Sequence, residues 1–329
     1  MLNSPNLKER LERYQVWIYA AALFVGTAVG LVAPGADSFF ERAIYPVLGV
    51  LLYVTFLQVP FTELKGSITS GRFLAAVLAL NFVFVPILVF GLTRFVASEP
   101  AVLIGVLLVL LTPCIDYVIV FSELGGGDAK KVTAATPLLM ISQIATLPVY
   151  LWLFLGSEAL SIFSAGPFLE AFFILVVLPL GFAIGTQYLA GSNSKAGTLT
   201  NRWTSFAGYL PVPFLAFTLL AMVASQIPRL EGVLDQVVAV VPIYVAFLLI
   251  MVFVGRATAR LFSLGVTSGR ALIFTGATRN SLVVLPLALA LPAGYEIAPA
   301  IIITQTLVEL VGMLVYVRMI PVWIMPDAQ

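Results

Sequence analysis

Two stretches of this chain repeat each other, and each carries a polar interruption inside an apolar run. TPCIDYVIVF, beginning at Thr112, aligns with TRNSLVVLPL, beginning at Thr278, an offset of 166 residues. The same offset carries Cys114 onto Asn280, Gln143 onto Glu309, and Val149-Tyr150 onto Val315-Tyr316. Two diverged copies of one unit, each broken at the same point, are the pattern of secondary transporters. In such folds the breaks mark discontinuous helices, and the solute site lies between them near the bilayer midplane.

The surroundings of the breaks are those of a membrane protein. The chain of 329 residues is 61% hydrophobic and 10% charged, with a mean hydropathy of +1.08, against about 25% charged residues in soluble domains. The absence of histidine excludes imidazole metal sites and histidine proton relays, and a single cysteine excludes an internal disulfide. A net charge of +1 gives no sign of nucleic acid as a partner. The charged opening NLKERLERYQ precedes an apolar run, Val16 to Ala33, that is long for a signal-peptide core and reads as a retained first span.

About 20 apolar residues cross a bilayer as a helix. Ten segments meet that requirement: 15–34, 42–61, 72–96, 101–122, 132–156, 167–190, 204–226, 234–256, 270–291 and 297–321. With the N-terminus inside, thirteen Lys and Arg fall on the cytoplasmic side, three (Arg42, Arg94, Arg229) outside, and Arg279 within a span. That bias places both termini in the cytoplasm. Five spans per copy is an odd number, so the second copy (164–329) is expected to be inverted relative to the first (1–163). The expected fold class is therefore an all-α membrane protein of ten transmembrane helices in two inverted five-helix repeats.

Inside the fourth span, Pro113 removes a backbone hydrogen bond and frees a carbonyl about one turn earlier. Cys114 and Asp116 follow it, and around such a break both could face one cavity. In the ninth span, Gly276, Thr278, Arg279, Asn280 and Ser281 form a short polar window, with Pro286 beyond it. Freed backbone groups at membrane depth are tolerated where protein or a cavity covers them. Asp116, Arg279 and Glu309 each cost roughly 2.5–3.5 kcal/mol at a helix centre on insertion scales. Either Asp116 or Glu309 could pair with Arg279, as a fixed staple or as a pair that opens for a solute or proton. Cys114 is a small buried hydrophobe by default. Directly after a helix-breaking proline, its thiol is also a candidate ligand for a soft metalloid. Thr275, Thr278, Ser281 and Gln143 could coordinate a solute or an ion, while hydroxyls also bond neighbouring helix backbone. GGGD at Gly125 to Asp128 reads as a turn rather than a phosphate cradle.

On these residues a resemblance rests. The ten-span layout with TPCIDYVIVFSELGGGDAKK and TRNSLVVLPLALALP resembles the bile acid/sodium symporter superfamily, and within it the arsenite-efflux permeases of arsenical resistance, along nearly the whole chain. The resemblance implies a panel domain and a core domain, each built from both repeats, with the fourth and ninth helices crossing in the core. It implies that Cys114 is the arsenite-interacting thiol. Two departures stand out. The position of a ninth-span glutamate in such permeases is Leu282 here, and its repeat mate is Asp116, which suggests a buried carboxylate moved to the other copy. Positions holding sodium ligands in the sodium-coupled branch are Thr275 and Arg279 here, and a cation repels sodium.

These readings converge on an expectation: a non-enzymatic transporter without cofactor that exports arsenite, or antimonite, in exchange for protons across the plasma (inner) membrane. Cys114, Asn280, Arg279, Ser281 and Thr112 would bind substrate. Asp116 and Glu309 would carry the proton, and Pro113, Thr278 and Gln143 would support the site. Its partners would be the solute, protons and lipid. The alternative is a proton- or sodium-coupled carrier of small organic anions with Arg279 as the clamp. A membrane sensor is disfavoured by charges at two symmetric breaks.

Overall fold

The computed structural model describes residues 7–33, 35, 37–58, 71–115, 117–156, 173–191, 195–226 and 234–327. Among them every regular element is helical, and the one extended pairing is an isolated bridge. Apolar side chains cover the outside: Phe24, Val32, Phe95 and Phe253 are each at least 68% exposed. Asn81, Arg279 and Glu309 are 0% exposed. Polar groups inside and apolar groups outside suit a hydrocarbon solvent, where an outward-facing charge has nothing to solvate it. The chain is a multi-pass membrane protein.

The chain divides into two compact units, Met1–Thr62 with Glu170–Leu234, and Glu63–Leu169 with Asp235–Gln329. The first unit contains α1 (Leu7–Val32), α2 (Asp37–Gln58), α7 (Leu178–Ala190), α8 (Lys195–Ala207) and α9 (Pro211–Gln226). Here α1 and α2 pack on α9, and α7 packs on α2. Gly26 lets α1 approach the α9 backbone so closely that an added Cβ would lie 2.6 Å from Leu220 O. Small residues serve helix packing in membranes in this way. Tyr53 joins three helices through its hydroxyl, which lies 3.1 Å from Thr186 Oγ1 and accepts from Trp203 Nε1 at 2.9 Å.

The second unit contains α3 (Gly71–Val96), α4 (Pro100–Leu110), α5 (Val118–Leu124), α6 (Ala129–Leu155), α10 (Leu234–Leu261), α11 (Val266–Ala277), α12 (Ser281–Leu289) and α13 (Ala298–Met319). Proline shapes two of the long helices. A π turn at Leu80–Phe84 precedes Pro86 in α3, and one at Phe173–Val177 precedes Pro179 at the start of α7. Proline cannot bond the carbonyl four residues earlier. For Pro86 that carbonyl is Phe82 O, and the Tyr150 hydroxyl of α6 donates to it at 2.5 Å. The GGGD segment is a turn: Gly126 has φ +66°, and Asp128 caps α6 by accepting from Lys131 N at 3.2 Å. Arg270 ties this turn to the chain's later residues. It donates to Gly126 O at 3.3 Å and Met325 O at 2.9 Å, and pairs with Asp327 at 2.9 Å.

Among the described residues, five helices are long and apolar enough to cross a bilayer, or six if the pair Gly197–Ala207 and Pro211–Ser225, bent by 49°, is one span. This is fewer than the ten expected, for identifiable reasons. The fourth and ninth segments are broken, so α4, α5, α11 and α12 are each short. The apolar part of α1 is only Trp17–Val32, because its first turns are charged. The expected sixth span, 167–190, begins outside the described residues.

The close approach at Gly26 is testable. Gly26→Ala should lower the thermal stability of the detergent-purified protein by roughly 1–3 kcal/mol, the cost of overpacking. Gly49→Ala in α2, where an added Cβ meets nothing within 4 Å, should not. Equal melting temperatures for the two variants would show that α1 and α9 are not in contact at Gly26.

Candidate functional site

The site lies wholly within the second unit, where the two helix breaks cross. The helix of α4 ends at Leu110 and α5 starts at Val118; α11 ends at Ala277 and α12 starts at Ser281. Between these ends the two breaks pair antiparallel, with Pro113 opposite Arg279. Cys114 N donates to Thr278 O at 3.1 Å, and Asn280 N donates to Thr112 O at 2.8 Å. Main-chain groups released by the breaks thus satisfy each other, as burial in an apolar medium demands. The threonines act locally. Thr112 Oγ1 donates to Leu108 O at 2.6 Å, and Thr278 Oγ1 donates to Phe274 O at 2.8 Å. Each occupies a carbonyl in the last turn of its own half-helix.

Arg279 occupies the carbonyl ends. Its guanidinium donates to Leu110 O at 3.2 Å, Thr275 O at 3.1 Å, Gly276 O, and the side-chain oxygen of Asn81 at 2.9 Å. The Phe247 ring centroid lies 5.4 Å from the guanidinium carbon. The C-termini of α4 and α11 each carry a partial negative charge, and this cation neutralises both. A planar fork with five donors is the side chain that can reach several carbonyls at once.

Glu309 of α13 sits toward the helix starts. Its carboxylate accepts from Tyr117 Oη at 2.7 Å, Gln305 Nε2 at 2.5 Å and the main-chain N–H of Arg279 at 2.8 Å. Tyr117 precedes α5, and Arg279 stands just ahead of α12. The Tyr117 hydroxyl also lies 3.1 Å from Arg279 O. A side-chain pair between Arg279 and a carboxylate was one expectation from the sequence. At Glu309 the contact is instead with the Arg279 backbone, and the guanidinium forms no ion pair among the described residues. The helix-end carbonyls claim it.

The other expected residues fall as follows. Cys114 is buried in the first break, next to the bridged Pro113. Asn280 caps α12, its Oδ1 accepting from Val283 N at 3.2 Å, while its Nδ2 is buried with no hydrogen-bond partner. Ser281 opens α12 and is buried. Gln143 is buried in α6, and neither atom of its amide has a partner. Thr275 Oγ1 donates to Leu272 O at 2.8 Å. Asp116 and the side chain of Leu282 lie outside the described residues. Thus Thr112, Pro113, Cys114, Thr278, Arg279 and Asn280 meet at the crossing, with Glu309 bonded to it.

Sequence reasoning passed over Asn81, Tyr117 and Gln305. Signals for each were present. Asn81 is a lone amide in the apolar run VLALNFVFV, Tyr117 lies within the repeated motif, and Gln305 stands one helical turn before Glu309 on the same face.

Should Arg279 hold the half-helix ends together, Arg279→Met and Arg279→Lys will both destabilise the purified protein severely, by roughly 3–5 kcal/mol for several orphaned carbonyls. The loss would be read as a fall in melting temperature without any solute. A well-folded Arg279→Lys protein with unchanged melting would contradict this role.

The chain is 24% identical over 291 residues to the arsenical-resistance protein Acr3 of Corynebacterium glutamicum, covering 82% of this chain and 78% of that protein. Residues 45–259 match the sodium bile acid symporter family, a span that includes α4, its break and α5, so the chain belongs to that family of membrane transporters, which are not enzymes.

Proposed function

We propose that this protein exports arsenite, or antimonite through the same contacts, from the cytoplasm in exchange for protons. The observation that carries the reading is the position of Cys114, the chain's one thiol, buried at the crossing of two broken helices. The likeness to an arsenical-resistance protein supports it. Arsenic(III) is a soft centre that prefers sulfur to oxygen ligands. When the thiol displaces one hydroxyl of As(OH)3, an S–As bond forms, an As–O bond breaks, and the thiol proton leaves with the hydroxyl as water. Attack by water reverses the step. One such bond can be released, as transport requires.

Cys114, Asn280 and Ser281 are the proposed substrate contacts, with Thr112, Thr278 and Pro113 shaping the crossing. Arg279 contributes by fixing the half-helix ends. Glu309 is the proposed proton carrier. Its three hydrogen-bond donors are all uncharged, so a proton can join or leave without breaking an ion pair. Asp116, two residues after the thiol, is the second candidate carrier. Proton rather than sodium coupling is supported by the cation at position 279 and by Thr275, whose hydroxyl is bonded to its own helix. An organic-anion clamp at Arg279 finds little support, because both terminal nitrogens of its guanidinium already donate to protein oxygens.

Hydrogen bonds that recur at the repeat offset support two inverted copies, 1–163 and 164–329. Tyr150 donates to Phe82 O and Tyr316 to Leu248 O, each across 68 residues. The Thr112 and Thr278 side-chain bonds and the reciprocal main-chain bonds at the crossing obey the same offset. The proposed arrangement has ten passages and both termini in the cytoplasm of an inner-membrane protein; that repeat supports the passages, and the Lys/Arg bias supports the orientation. Alternating access then exposes the crossing to one side at a time, with the second unit moving as the core and the first as the panel.

Everted membrane vesicles carrying the wild-type protein should accumulate arsenite when a pH gradient is imposed. Cys114→Ser should abolish uptake, and Glu309→Gln should remove its dependence on the gradient. Uptake unchanged in Cys114→Ser would refute the thiol's role, and no wild-type uptake would refute the substrate.

A further inference from the structure

Gln143 is the only side chain among the described residues with both polar atoms buried and without a hydrogen-bond partner. Native proteins seldom leave a whole amide unsatisfied in the interior. The repeat explains how it comes about. Tyr150 and Tyr316 make equivalent bonds from α6 and α13, to Phe82 O and Leu248 O. Gln143 and Glu309 each stand seven residues before those tyrosines, two helical turns back on the same face. The two side chains therefore occupy equivalent places against the crossing.

Glu309 finds three donors there: Arg279 N–H, the Tyr117 hydroxyl and the Gln305 amide. Shifted by the repeat offset of 166 residues, these positions become Pro113, Val283 and Leu139. Proline has no N–H, and the other two side chains have no polar atom. Every group that serves Glu309 is thus replaced, on the other side of the crossing, by one that cannot bond. The residue next to Pro113 is Cys114, and on the opposite break Asn280 Nδ2 is a second buried donor without a partner.

We infer that Gln143 is a cargo-contacting residue. Its amide hydrogen-bonds hydroxyl groups of a small neutral trihydroxide whose central atom meets the Cys114 thiol. This rests on the arsenite reading and deepens it by selecting the protonation state of the cargo. An amide offers two N–H donors and one carbonyl acceptor. As(OH)3 has hydroxyls that match both kinds. A deprotonated oxyanion would gain less there, because both terminal nitrogens of the Arg279 guanidinium already donate to protein oxygens.

The test compares wild type, Cys114→Ser and Gln143→Leu in arsenite uptake by everted vesicles and in the melting of purified protein titrated with arsenite. Gln143→Met, which keeps the length of the side chain, stands in if the leucine variant does not fold. Loss of one good hydrogen bond predicts a KM raised about tenfold with maximal rate within about twofold. The melting shift produced by arsenite should shrink in parallel. Without arsenite the variant should melt no lower than wild type, since an orphaned amide has been removed. Wild-type uptake that requires Cys114, with unchanged KM and melting shift in the Gln143 variants, would overturn this inference and leave arsenite export standing. Absence of both uptake and melting shift in the wild type would overturn export and this inference together.

Discussion

Main-chain groups at a broken helix have no water to turn to inside a bilayer, and the second unit is organised around that constraint. The breaks after α4 and α11 solve it by pairing, each lending the other one N–H and one carbonyl. Two threonines cover a carbonyl each, and Arg279 gathers three more. Only then can a thiol and a carboxylate be carried at this depth. Four half-helix ends create two poles, and the charged residues are sorted between them. The cation lies at the carbonyl ends of α4 and α11. Glu309 lies beside the residues that lead into α5 and α12. Helix dipoles favour this arrangement, and it keeps a buried carboxylate and a buried guanidinium in one small volume without fusing them into an ion pair.

Much of this was legible before any coordinates. The offset of 166 residues, the interruptions at Thr112 and Thr278, and the presence of Arg279 and Glu309 in apolar runs all follow from residue identities. A polar residue at membrane depth is conspicuous because its insertion is costly. Its partner is harder to read. Arg279 could have faced a carboxylate or carbonyls, and only the positions of the helix ends decide that. Helix ends cannot be placed from hydropathy, which sees α4, the break and α5 as one apolar stretch. Tyr117 and Asn81 were overlooked for a related reason. Their importance comes from what crosses them, not from their neighbours in sequence.

Unit organisation was less legible than the repeat. Each compact unit takes segments from both halves of the chain, so proximity along the sequence is a poor guide to which helices pack together. The α1–α9 contact, with its glycine against a backbone carbonyl, joins residues nearly two hundred positions apart. Even the prolines mislead when read singly. Pro113 ends a helix, Pro86 follows a π turn, and Pro286 stays inside one. The outcome depends on whether another group, such as the Tyr150 hydroxyl, is in reach of the abandoned carbonyl.

The contrast between Gln143 and Glu309 has a bearing on directionality. Were the two copies identical, the proposed inward- and outward-facing forms would be related by a two-fold rotation and equal in energy by symmetry. Any resting preference must then come from positions where the copies differ. Here the main chain at the crossing keeps the symmetry, through reciprocal bonds, and the side chains abandon it: cysteine against asparagine, proline against arginine, glutamine against glutamate. On the proposed cycle, the mismatched pairs around the crossing are therefore among the positions that could set its sense of inside and outside.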